Sequence, residues 1–110
     1  MKDNLVYIQH MLECIAKIEE YSNNITKKKF IEASIIQDAI IRQIEIIGEA
    51  SKLISEDLKE KNKNIPWKDM VGMRDKLIHN YLGVDLEAVW ETVKKDIPVL
   101  KKEIRKIIEK

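Results

Sequence analysis

Residues 34–54 read SIIQDAIIRQIEIIGEASKLI, and this run decides the fold. Its apolar residues (Ile35, Ile36, Ala39, Ile40, Ile41, Ile44, Ile46, Ile47, Ala50, Leu53, Ile54) spread far beyond the single stripe of an ordinary surface helix. The run predicts one long helix covered on several sides, and a small bundle offers too few surfaces to cover it alone. A second copy of the chain is the natural cover, because dimers commonly pair the same patch on each subunit.

Working outward, the spacing predicts a first helix over 3–21, capped by Asp3 or Asn4 and ended by Ser22-Asn23-Asn24. Leu5, Ile8, Leu12 and Ile15 form one face, with Tyr7, Met11, Cys14 and Ile18 as an adjacent stripe. Thr26 opens a short segment in which Lys27–Lys29 are solvated and Phe30 is the anchor. Residues 55–64 are polar, lysine-rich and without periodicity, which predicts a surface loop. Pro66 suits the first turn of a further helix, with Trp67 and Met70 inward and Gly83 at its end. The last helix, over 85–108, starts at Asp85 and repeats Leu86, Trp90, Val93, Ile97, Leu100, Ile104 and Ile107 at alternating spacings of four and three. Pro98 should kink it.

These elements predict an all-α fold, a compact antiparallel bundle of four to five helices, with residues 1–110 as a single domain. Three glycines and two prolines are too few for the turns of a strand-rich fold. The net charge of +1 sets up no global field toward nucleic acid or membrane, so any recognition of RNA must be local. With one cysteine, Cys14, the chain forms no internal disulfide, and a reducing compartment, the cytoplasm, is the expected location. We read no signal peptide in residues 1–12 and no run of the roughly 20 apolar residues needed to span a membrane.

One segment carries chemistry: Arg74-Asp75-Lys76-Leu77-Ile78-His79-Asn80-Tyr81. Histidine titrates near neutral pH, so His79 suits proton transfer. Arg74 offers a permanent fork of donors matched to phosphate oxygens. Metal-free RNA cleavage requires a base for the 2′-hydroxyl, an acid for the leaving oxygen and positive charge at phosphorus. Five residues apart on a helix, Arg74 and His79 point about 140° away from each other. They converge only if the helix edge lines a cleft or two chains each contribute a pair. A cap and a surface histidine are the structural alternative, since a histidine near a helix carboxyl end is favourable by itself.

The segment resembles the signature of the HEPN superfamily, and within it the HepT-type toxins: an arginine, a polar residue, a spacer, a histidine and, two positions on, a tyrosine. Arg74, Asp75, His79 and Tyr81 match, and residues 44–51 resemble that branch's second-helix pattern. The resemblance implies a HEPN-like helical fold and a toxin of a toxin–antitoxin pair. It implies a homodimeric, metal-independent endoribonuclease with its two motifs facing across a cleft. Arg74 and His79 would be catalytic, with Asp75 and Asn80 in support. The implied partners are RNA and a minimal nucleotidyltransferase antitoxin that places AMP on Tyr81. The alternative is a non-catalytic HEPN dimer that binds such a nucleotidyltransferase.

No cofactor is called for, and no metal site. His10 and Cys14 stand four apart, but two ligands are too few and Cys14 sits on an apolar stripe. Trp67 and Trp90 could stack on bases, yet each fits a core pattern. Glu49 would be costly if buried unpaired and is a candidate partner of Arg74 from behind the site.

Overall fold

The computed structural model describes residues 2–79 and 83–109. The described helices are α1 (Lys2–Ser22), α2 (Lys27–Glu32), α3 (Ser34–Leu53), α4 (Glu56–Lys61), α5 (Trp67–His79), α6 (Leu86–Glu91) and α7 (Ile97–Ile108). No strand occurs among the described residues, so the all-α reading holds. No described helix is long and apolar enough to cross a membrane.

Helix α3 is the axis of the bundle and packs against both α1 and α5. Its Ile40, Ile44, Ile47 and Ala50 are buried together with Ile8, Met11, Ile15 and Ile18 of α1 and Met70 and Leu77 of α5. The buried stripe of α1 is thus 8-11-15-18, and Leu5, expected inside, is about half exposed. Asn4 is not a cap. It lies within α1, and its side chain exchanges two hydrogen bonds with Ser55, pinning the start of α1 to the corner after α3 (Nδ2 to Oγ, 2.9 Å; Ser55 N to Oδ1, 3.0 Å). Asn24, past the end of α1, takes the left-handed conformation at φ 62° that asparagine tolerates.

The expected loop over 55–64 contains α4 instead. Ser55 caps it by accepting from the Leu58 amide at 3.3 Å, and Glu56 and Asp57 complement the dipole in its first turn. Pairs Lys59–Glu56 and Lys61–Asp57 lie along it. Its order comes from capping and charge, with only Leu58 packed against the core. Trp67 and Met70 are inward, and the Trp67 indole Nε1 donates to the Asn62 carbonyl at 3.1 Å.

The carboxyl-terminal helix is not one kinked α-helix. A π-turn, Thr92–Asp96, joins α6 to α7, and the Ile97 amide donates to the Thr92 carbonyl five residues back. The wider turn changes the hydrogen-bond pattern just where Pro98, in the first turn of α7, supplies no amide donor. Trp90, Val93, Ile97, Leu100 and Ile104 are buried along this helix, and Trp90 packs on Phe30 of α2 with ring centroids 5.2 Å apart.

Candidate functional site

The crossing of α3 and α5 is unusually close. A Cβ built on Gly48 would fall 2.3 Å from Cβ of Arg74 and 2.8 Å from the Met70 carbonyl oxygen. Only glycine permits this approach, which brings the base of the Arg74 side chain against the α3 backbone. From there the guanidinium reaches two carboxylates: Nη2 lies 2.7 Å from Glu49 Oε1, and Nη1 lies 3.0 Å from Asp75 Oδ1. The Arg74 side chain is 21% exposed and both carboxylates are about half exposed. The fork is therefore oriented at two edges, and solvent reaches only part of the side chain.

One turn further on, His79 Nδ1 is 2.8 Å from the backbone carbonyl oxygen of Asp75. That oxygen can only accept, so Nδ1 carries the proton and Nε2 of the neutral ring holds the free lone pair. His79 is exposed. Asp75 thus touches both residues, Arg74 through its carboxylate and His79 through its backbone. Arg74 and His79 share α5 but make no direct contact with each other in the described bonds. Asn80 and Tyr81, singled out in the sequence, lie outside the described residues.

A groove of about 220 Å³ borders the site. Arg74 and Glu49 line it, along with Tyr7 and His10 of α1 and Arg42 and Glu45 of α3. His10 is exposed whereas Cys14 is buried, so the two do not present a common metal site, and no group of three or more ligand side chains occurs among the described residues. Spacing along α1 gave no hint that His10 would share a groove with Arg74. A larger groove, about 870 Å³, runs between α4 and the start of α5, with Lys52, Lys59, Lys63 and Lys68 offset by Glu56, Glu60, Asp69 and Asp75. Trp67 borders it but is buried, and so is Trp90, so neither ring is free to stack on a base. Lys27–Lys29 are solvated, and Lys27 pairs with Glu87 at 3.1 Å.

Comparison with known proteins is consistent with this geometry. The family described as Ribonuclease HepT-like matches residues 11–107. A protein of Thermococcus cleftensis named "Probable ribonuclease HepT" is 48% identical over 101 residues, 92% of this chain and 92% of that one. A protein of Caldanaerobacter subterraneus subsp. tengcongensis named as a candidate RNase is 39% identical over 110 residues, covering 100% of this chain and 98% of its own. A protein of Methanocaldococcus jannaschii named for a gamma-glutamylcyclotransferase and a candidate RNase is 53% identical over 108 residues. This chain spans 49% of that protein's length. No solved structure matches the chain.

Proposed function

Because the chain belongs to the HepT-like ribonuclease family, we propose that it is the endoribonuclease toxin of a toxin–antitoxin pair, cutting RNA without a metal through Arg74 and His79. The observation that carries this reading is the arrangement about Asp75: one residue turns the imidazole by its backbone and the guanidinium by its carboxylate. Nε2 of His79 takes the proton of a ribose 2′-hydroxyl. The freed 2′-oxygen attacks phosphorus, the bond to the 5′-oxygen breaks, and that oxygen leaves with a proton from an imidazolium. Arg74 faces the charge that builds on the phosphoryl oxygens. Asp75 and, by the family resemblance, Asn80 support the pair, while Glu49 holds the far edge of the Arg74 fork.

One histidine per site serves as either acid or base in a given step, so a second His79 completes the reaction. A homodimer supplies it. Support for the dimer comes from the outer face of α3, where Ile35, Ala39, Ile46 and Leu53 recur at spacings of four and seven. Ile35 is 82% exposed and Leu53 51%, beside Ile78 of α5 at 42%. A seam of that spacing suits a matching helix.

The partner implied by the resemblance is a minimal nucleotidyltransferase that transfers AMP to the Tyr81 hydroxyl and releases pyrophosphate. The adduct would bring negative charge and bulk two residues beyond His79 in the sequence, and negative charge opposes phosphate binding. The test is purified wild type against His79→Ala and Arg74→Ala on total RNA, with and without EDTA. Wild type alone cuts, and the chelator leaves the rate unchanged. Cutting by the His79→Ala variant, or loss of cutting with EDTA, rejects the mechanism. A dimer that binds the nucleotidyltransferase but never cuts RNA identifies the non-catalytic alternative.

A further inference from the structure

The Arg74 cluster is short of positive charge. One guanidinium stands between two carboxylates, so Glu49, Arg74 and Asp75 together are formally −1. A polyanion is not drawn to such a cluster by net charge, and the remaining cations must come from close by. The larger groove does not supply them, because its four lysines face four carboxylates. The smaller groove is balanced as well, with Arg42 and Arg74 against Glu45 and Glu49, but it adjoins the site and brings a second guanidinium to it. Beside Arg74 it contains Arg42, another of the three arginines in the chain, and His10, the histidine that the cleavage reaction leaves unused. The Arg42 guanidinium is loosely held: it pairs with Glu45 at 3.6 Å, too long for a hydrogen bond, and its side chain is 69% exposed.

Resting on the ribonuclease reading, we propose that this groove is a second phosphate subsite, in which Arg42 and His10 hold the backbone of the RNA strand one step along from the bond facing Arg74. Three helices converge on it: Tyr7 and His10 come from α1, Arg42, Glu45 and Glu49 from α3, and Arg74 from α5. Ile46, Leu53 and Ile78 also line it, and because they belong to the face offered to a second copy, the strand would run along the edge of the dimer seam. Its volume, about 220 Å³, is below the ~300 Å³ at which small-molecule pockets begin. The space suits one unit of a polymer that continues past both ends, not a whole free ligand. Tyr7 places a hydroxyl-bearing ring at the same rim, a donor to phosphate or sugar.

The experiment is a salt titration of binding to a single-stranded 2′-O-methyl RNA, which lacks the nucleophile and stays intact. Fluorescence anisotropy compares wild type, Arg42→Ala, Arg42→Lys and His10→Ala, with sedimentation of each protein. Arg42→Ala should bind more weakly and flatten the slope of log K against log salt by about 0.7, the loss of one phosphate contact on a single strand. Arg42→Lys should restore the slope, which a purely structural role for Arg42 does not predict. His10→Ala should bind more weakly, and on cleavable RNA both alanine variants should raise KM with kcat held. An unchanged slope in Arg42→Ala overturns the subsite. Variants that sediment as monomers also overturn it, since the groove would then be a contact between copies. Wild type that binds through Arg42 yet cuts nothing would uphold the subsite while rejecting the ribonuclease reading.

Discussion

Gly48 and Arg74 stand so close that a methyl group on the first would sit 2.3 Å from Cβ of the second. The fold and the site meet at this point. The same approach that seals α3 on α5 brings Arg74 within 2.7 Å of Glu49.

The two helical glycines should therefore respond in opposite directions. Gly48→Ala meets the backbone of Met70 as well as Arg74, so the helices must part. The cost is of the order of 1–3 kcal/mol, set against a helix-propensity gain of roughly 0.5–1. Each net kcal/mol lowers Tm by about 4–8 °C. Gly72 has open space where a Cβ would go, so Gly72→Ala should raise Tm. Thermal unfolding by circular dichroism decides both, and a stabilised Gly48→Ala would refute the tight crossing.

Glu49→Gln removes the charge that holds one edge of the Arg74 fork. Partly exposed pairs of this kind contribute about 0.2–1 kcal/mol, so Tm should hardly move. Cleavage should slow through kcat while KM does not rise, because the fork is less well aimed but one competitor for phosphate is gone. A variant with wild-type kcat would show that Glu49 does not position Arg74.

Cys14 is buried, and burial pushes its thiol above the ordinary range, with Lys17 opposing the shift. The thiolate is the reactive form, so alkylation of the native protein at neutral pH should be slow and should become fast in denaturant. Equal rates in the two states would contradict the packing of α1.

Asp96 is held above the usual carboxylate range, chiefly by burial and secondarily by Asp69. A raised carboxylate destabilises the fold wherever it is ionised, and that cost disappears as pH falls below the unfolded carboxylate range. Asp96→Asn should accordingly raise Tm at pH 7, with the gain shrinking through the acid range. A gain that grew on acidification would reverse the sign of the argument.

Periodicity made the long helices legible. The apolar run of α3 and the four-three repeat ending at Ile107 need no tertiary context. Helix α4 was not legible, because Leu58 alone anchors it and the rest is a Ser55 cap with ion pairs. The π-turn was hidden because Pro98 signals only that the ladder is interrupted, and either a kink or a widened turn satisfies that. The Arg74 and His79 pair stood out because both lie on one short segment. The ties to Glu49 and the shared groove with His10 are products of helix register, which no local pattern encodes.

The central claim is that His79 and Arg74 direct a ribose 2′-oxygen at phosphorus with no metal taking part. Analysis of product ends from a defined RNA oligomer, cut in EDTA, tests it most directly. The expected products are a 2′,3′-cyclic phosphate on one fragment and a 5′-hydroxyl on the other, with no fragments from His79→Ala. Ends with 5′-phosphate and 3′-hydroxyl would mean that water is the nucleophile, and would contradict the claim.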